Sequence, residues 1–396
     1  MVNVIGLGYI GLPTALMLAS HGVEVVGTDY NAKLVETLNR GQTTFSEDGL
    51  EELFAQALAG GIRFTTEYRS TEVYIVSVPT PYDKDSKRID PCYVVSAVEK
   101  VLSICPEDAV IVIESTVSPG TIDRYVRPLC EGKKVHLVHA PERIIPGNMV
   151  YELEHNSRTI GADDPAMGLR IKELYSSFCK GDIVVTDIKT AEMTKVIENT
   201  YRAVNIAFAN ELAKLCHYEG MNVDEIIRIC NMHPRVNILS PGPGVGGHCI
   251  PVDPWFLVGD YPQHTPLIAQ SMKINEEMPD FVFERICKIM EAHGISEFSK
   301  VGLYGLTYKE DVDDIRESPT LQLLERHPEA FRVYDPMVRG ATVANQDLDF
   351  ESFLQQSQLL VIMVGHSHLQ SCIGDLEGKV IFDTRHALKG MDVYRI

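Results

Sequence analysis

Short apolar runs recur along the first half of the chain, and each ends at small or polar residues. They lie at 2–6 (V-N-V-I-G), 23–29 (V-E-V-V-G-T-D), 73–78, 110–114, 135–139 and 183–186. Between them, apolar positions fall at helical spacing over 12–21, 50–58 and 93–102. Strand and helix in alternation predict a parallel sheet with helices on both faces, ending near residue 188. Residues 189–232 lack strand signals and read as helical almost throughout, with one helix over 223–232; a third is expected over 267–293. From residue 300 the alternation returns, with strands expected at the start of K-V-G-L-Y-G-L-T-Y-K and over 331–336, 359–364 and 379–385. Its opening, a strand with Gly302 and then Gly305, echoes the N-terminus. The expected class is α/β, with a doubly wound sheet (1–188), a helical middle (189–295) and a second, smaller α/β domain (296–396).

Composition narrows the partners. The 396 residues are 45% hydrophobic and 23% charged, ordinary for a soluble protein of two or three domains. A formal net charge of -19 argues against nucleic acid and anionic membranes as partners. It leaves small anions open, because helix N-termini and a few arginines bind phosphate locally. No apolar run approaches the ~20 residues of a membrane span, so no insertion is expected. The apolar start lacks the basic region of a signal peptide. Nine cysteines, an odd number with no C-x-x-C pair, suggest a reducing, cytoplasmic setting and mostly buried thiols. The histidines show no metal-ligand spacing, and His366 and His368 read as loop residues.

Gly6-Leu-Gly8-Tyr-Ile-Gly11 follows a strand, opens a helix, and is succeeded by a strand ending in Asp29. This is the context a dinucleotide fingerprint needs. The first glycine makes the turn, the second admits the pyrophosphate, and the third lets helix and strand pack. An N-terminal Rossmann-type sheet follows from it, with a smaller Rossmann-like domain at the C-terminus. Asp29 would accept from the ribose hydroxyls and repel a 2′-phosphate, so NAD is the expected cofactor. Thr80 (V-P-T-P) and Thr116 (E-S-T) end strands at the edge where such sheets bind ligands, or they satisfy turns. Glu142 and Arg143 follow the strand ending at His139. Lys195, Asn199 and Arg202 lie on one helical stripe, either a solvated face or a ligand-facing one.

The segment P-G-P-G-V-G-G-H-C-I-P-V-D-P, residues 241–254, sets Cys249 apart from the other cysteines. Four glycines leave little side-chain volume to fill a core and let backbone come close to a ligand. A cation such as Lys195 beside the thiol would favour the thiolate. A thiolate beside a nicotinamide implies oxidation of an alcohol through thiohemiacetal and thioester to a carboxylate. Lys195 and Asn199 suit the proton transfer and the oxyanion, and Asp253 and Glu142 suit the proton or water. The alternatives are a two-electron alcohol dehydrogenase with a structural Cys249, and a non-catalytic sensor.

Together these motifs resemble the UDP-glucose/GDP-mannose dehydrogenase family. G-x-G-Y-I-G-L-P, V-P-T-P, E-S-T-V-x-P-G-T, P-E-R, K-x-x-x-N, G-G-H-C-I-P-x-D and Y-K-x-x-x-D-D-I-R-E-S-P occur in order across nearly the whole chain. The resemblance implies that Cys249 is the nucleophile and Lys195 the proton carrier, helped by Asn199 and Asp253, with Thr116 and Glu142 assisting water or cofactor. It implies NAD contacts at Tyr9, Ile10, Asp29, Thr80 and Thr116. It implies nucleotide-sugar contacts at Arg143, Ile144, Lys195, Asn199, Arg202, His233, Arg235 and Gly244, and a site for the UDP portion at Tyr308, Lys309 and Arg316. It also implies a homodimer or larger assembly in which the His233–Arg235 loop reaches the partner's site. P-E-R-I-I-P-G-N and H-C-I-P-V-D-P-W-F are most similar to members acting on UDP-N-acetyl-D-mannosamine. Members acting on UDP-N-acetylglucosamine or UDP-glucose differ around Ile145, Pro146 and Trp255.

Overall fold

The computed structural model describes residues 1–396. The chain divides into two compact units, Met1–Glu198 and Asn199–Ile396. The first holds eight strands: β1 (Val2–Ile5), β2 (Val25–Thr28), β3 (Arg63–Thr65), β4 (Val73–Val76), β5 (Ala109–Ile113), β6 (Val135–His139), β7 (Arg158–Ala162) and β8 (Ile183–Thr186). Their order is β3-β2-β1-β4-β5-β6-β7-β8, so the sheet winds outward both ways from β1. Every residue of β1, β4 and β5 is buried, as expected where helices cover both faces, and these strands read as apolar runs broken only by Asn3 in β1.

All neighbours are parallel except β6 and β7. The connection between those two contains one short helix, Met149–His155, and β7 returns antiparallel beside β6. That reversal departs from the all-parallel expectation. It leaves residues 140–148 at the carboxyl end of β6 as loop.

Helix Ile188–Glu219 follows β8. The second unit adds helices Val223–Cys230, Asp253–Asp260, Pro266–Glu276 and Met278–His293. The single helix expected over 267–293 is thus two. Pro279 sits in the first turn of the later one, where its missing N–H is harmless, but it could not have continued the earlier one. Five parallel strands follow: β9 (Val301–Tyr304), β10 (Arg332–Tyr334), β11 (Leu359–Ile362), β12 (Val380–Asp383) and β13 (Tyr394–Arg395), in the order β10-β9-β11-β12-β13. His366 lies in a loop but is buried, and His368 opens the short helix His368–Ser371 instead of lying in a loop. No helix is long and apolar enough to cross a membrane.

Both sheets open with one turn. Gly6 N donates to Thr28 O at 2.8 Å, and Gly305 N donates to Tyr334 O at 2.8 Å. The two glycines have φ of 88° and 101°. In each case the next residue is held by an aspartate at the tip of the neighbouring strand. Leu7 N donates to Asp29 Oδ2 (2.8 Å), and Leu306 N and Thr307 N donate to Asp335 Oδ2 (2.5 and 2.9 Å).

Candidate active site

In the first unit the glycine turn is shaped from below. A Cβ on Gly6 would stand 2.3 Å from Ser77 O, and one on Gly11 would stand 1.9 Å from Gly6 O, so both positions must be glycine. A Cβ on Gly8 would meet nothing within 4 Å. That glycine leaves space outside the chain, where helix Gly11–Ser20 begins and its dipole favours an anion. Asp29 accepts only from the backbone, at Leu7 N and Asn31 N, which leaves lone pairs for ribose hydroxyls. The space and the donor set fit NAD. Half-buried Tyr9 stacks on Phe45 beside the turn, with Ile10 next to it.

Buried Glu114 anchors the underside, a role not read from the sequence. It accepts from Ser77 Oγ (2.5 Å), Thr14 Oγ1 (3.3 Å), Tyr175 OH (3.0 Å) and Arg158 Nη1 (3.1 Å). Ser115 Oγ donates to Val78 O at 2.7 Å and ties the loop of Thr80 to that of Thr116. Both threonines are half-buried.

The 140–148 loop meets the long helix within this unit. Lys195 Nζ and Glu142 Oε1 lie 3.7 Å apart, with side-chain exposures of only 7% each. Glu142 Oε2 accepts from Ile144 N at 2.7 Å, which fixes the carboxylate. Three residues before Lys195, Glu192 accepts from Gly120 N (2.6 Å) and Ile122 N (2.9 Å) and binds the helix to the segment after Thr116. Arg143 spends its donors on Glu198, Ser157 and Thr159, so it braces the loop instead of presenting a bare cation. Ile144 is buried and Ile145 exposed.

In the second unit Asn199, buried on the same helix one turn after Lys195, donates to Asp253 Oδ2 at 2.6 Å. Burial of both Lys195 and Asn199 removes the solvated-face reading for them, whereas Arg202 is exposed. Cys249 is half-buried, and its carbonyl accepts from Val252 N (3.1 Å) and Asp253 N (2.8 Å). The cysteine therefore lies just ahead of the N-terminus of helix Asp253–Asp260, an end that favours negative charge.

The glycines of its loop are packing requirements. A Cβ on Gly246 would stand 2.6 Å from Tyr308 Cβ and 2.8 Å from Glu317 O, and one on Gly247 would stand 3.1 Å from the Tyr308 ring. Gly247 N donates to Arg316 O at 2.9 Å. Buried Gly244, at φ 136°, lies against Pro279 and Pro319. The thiol loop is therefore set directly on the segment of Tyr308, Lys309 and Arg316, and Arg316 is paired bidentately with Asp314.

Arg385 was not singled out in the sequence. A Cβ on Gly242 would come 2.7 Å from its Nη1, and it forms no ion pair. Its side chain is exposed, with Glu310 and Asp383 nearby, so an anionic ligand can reach the guanidinium. The signal was D-T-R after an apolar strand. His233 and Arg235 are exposed in the turn after helix Val223–Cys230. Trp255 and Phe256 are buried, with Trp255 Nε1 donating to Glu276 Oε1 at 3.1 Å.

Residues 1–179, 189–277 and 302–390 match, in turn, the NAD binding, central and UDP binding domains of the UDP-glucose/GDP-mannose dehydrogenase family. The UDP-N-acetyl-D-mannosamine dehydrogenase of Methanocaldococcus jannaschii is 40% identical over 401 residues, covering 98% of this chain and 92% of the relative. The Staphylococcus aureus UDP-N-acetyl-mannosamine dehydrogenase structure superposes with a TM-score of 0.89 at 39% identity, covering 100% and 98% of the two chains. The Pyrococcus horikoshii UDP-D-ManNAc dehydrogenase structure gives 0.91 at 36% identity, covering 100% and 99%.

Proposed function

Because the chain belongs to the UDP-glucose/GDP-mannose dehydrogenase family, we propose that it oxidises C6 of UDP-N-acetyl-D-mannosamine to the carboxylate. The observation that carries the mechanism is one helix bearing both a buried lysine beside Glu142 and, a turn later, an asparagine bonded to the aspartate of the cysteine loop.

NAD at the glycine turn supplies the hydride acceptor for both oxidations. Lys195 takes the C6 hydroxyl proton in the first oxidation. Cys249 adds to the resulting aldehyde: a C–S bond forms and the carbonyl π pair moves to oxygen. The Lys195 ammonium and the Asn199 amide hold that oxyanion. Loss of the second hydride leaves a thioester. Water adds, the C–S bond breaks, sulfur leaves as thiolate, and Asp253 or Glu142 takes the proton while Thr116 orients the water or cofactor. Tyr308, Lys309, Arg316 and Arg385 hold the uridine diphosphate, with Gly244 and Ile144 lining the sugar's surroundings. A reducing cytoplasm suits the thiolate.

The molecule acts as a homodimer or larger assembly. Tyr201, Phe208 and Leu215 are 69%, 51% and 53% exposed at seven-residue spacing on the long helix, an apolar stripe that a second copy would cover. Light scattering of Tyr201→Glu and Phe208→Glu variants tests this, with monomers expected. The activity test counts NADH per sugar across UDP-hexoses and UDP-N-acetylhexosamines. Two per UDP-N-acetyl-D-mannosamine supports the reading. One, with aldehyde product, replaces it by two-electron oxidation, and a preference for another sugar overturns the substrate.

A further inference from the structure

His139 ends β6, three residues before Glu142, and is fully buried. Its Nδ1 lies 2.8 Å from Ile113 O on β5. A carbonyl oxygen only accepts, so Nδ1 carries the proton and Nε2 of the neutral ring presents a lone pair. That Nε2 meets no hydrogen-bonding group of the chain. Burial, opposed by the Ile113 contact and reinforced by the charge of Lys195, lowers the His139 pKa to about 4, so the ring stays neutral at physiological pH. A neutral imidazole held that far down is a poor base but a good acceptor. Meanwhile Lys195 Nζ and Glu142 Oε1 stand 3.7 Å apart, an ion pair too long for a direct hydrogen bond and so open to a shared water. One water would answer all three groups. It would accept from the Lys195 ammonium, donate one hydrogen to Glu142 and give the other to His139 Nε2, a full set for a buried water.

We propose that His139, Glu142 and Lys195 hold one buried water, and that His139 is a positioning residue that acts through this water to fix the lysine ammonium. The catalytic consequence rests on Lys195 being the proton carrier proposed above; the water site itself does not.

Two variants of the full-length protein test it. In His139→Asn the amide nitrogen can keep the donor to Ile113 while the distal acceptor is lost. His139→Gln returns an oxygen to the distal position. The Asn variant is expected to lower kcat about tenfold, the effect of one hydrogen bond to a charged network, with KM for both substrates unchanged. The Gln variant is expected to recover most of the loss. Full kcat in the Asn variant, or an equal loss in both, overturns the positioning role. Nitrogen-15 NMR of histidine-labelled wild-type protein, with the Asn variant assigning the signal, should show a neutral Nδ1–H ring with hydrogen-bonded Nε2. An imidazolium, an Nε2–H tautomer or a bare Nε2 overturns the water site. This second readout needs no turnover, so it stays decisive even if the sugar or the reaction is assigned wrongly.

Discussion

At the tip of β2, Asp29 receives hydrogen bonds from backbone alone; at the tip of β10, Asp335 receives the same backbone bonds and also His366 Nε2 at 3.2 Å. Each carboxylate steadies the residue after a left-handed glycine, and Asn31 N and Met337 N complete the pair at the other oxygen. The surroundings differ. After Gly6 the chain passes within five residues into a helix and leaves Gly8 against open space. After Gly305 it runs through residues 306–318 before the helix Pro319–Arg326 begins, and Thr320 Oγ1 bonds back to Gly305 O at 2.6 Å. The turn is thus a way of starting an α/β sheet. A dinucleotide site needs two further things: a carboxylate with acceptor capacity left over and a helix start beside unfilled space. The first unit has both, whereas in the second His366 has closed the carboxylate and the loop serves the thiol.

The largest effect should come from separating the two roles. Cys249→Ala should cut carboxylate production by about four orders of magnitude, as loss of a covalent nucleophile does, with NAD affinity by calorimetry unchanged. Weakened NAD binding in that variant would break the division. Next, the two aspartates should fail differently. Asp29→Ala should raise the Kd for NAD about tenfold to a hundredfold, through lost charge-assisted bonds to ribose, and lower melting by less than the Asp335 variant, since Leu7 N and Asn31 N lose their acceptor but no histidine does. Asp335→Ala should leave NAD affinity alone and cost about 3 kcal/mol of stability, because buried N–H groups and His366 lose their partner.

A smaller contrast lies in two glycines. Gly8→Ala should weaken NAD about tenfold, a loss of roughly 1.4 kcal/mol, without altering melting, since its Cβ meets nothing. Gly246→Ala should lower melting and kcat together, since its Cβ would meet Tyr308 and Glu317. The finest distinction is in pH. Burial would raise the Asp335 pKa, but the bond and charge of His366 and the N–H groups of Thr307 and Leu306 bring it below the usual value. A folded pKa below the unfolded one means stability that is present above about pH 4 and lost as pH falls through the folded value. Asp335→Asn should flatten that acid limb in pH-dependent melting.

The central strands were legible because burial on both faces makes them nearly continuous apolar runs. Three others were not: β3 is R-F-T, three residues at a sheet edge, β7 is R-T-I-G-A, and β13 is two residues long. Gly161 in β7 looks like a breaker, but it is there because Ala191 and the backbone at Asp187 and Ile188 pack where its Cβ would be. In the site, Lys195, Asn199, Cys249, Asp253 and Glu142 could each be picked out by residue type and local spacing. Their pairings could not, since Lys195 finds Glu142, and Asn199 finds Asp253, across more than fifty residues of chain. Arg385 had only the D-T-R after an apolar strand to mark it, and His139 carried no local pattern. One is defined by the glycine it lies against, the other by an acceptor left without a donor.

The contact of Gly246 and Gly247 with Tyr308 bears on how substrate preference can be transplanted. No spare volume separates the two segments, so residues 241–254 and 306–319 are fitted to each other as a lock to its own frame. A thiol loop grafted alone from a relative would meet a tyrosine shaped for different neighbours, and a nucleotide segment grafted alone would dislodge the thiol. The two stretches, far apart in sequence, form a single module of inheritance, and chimeras that move them together are the ones expected to keep a working enzyme.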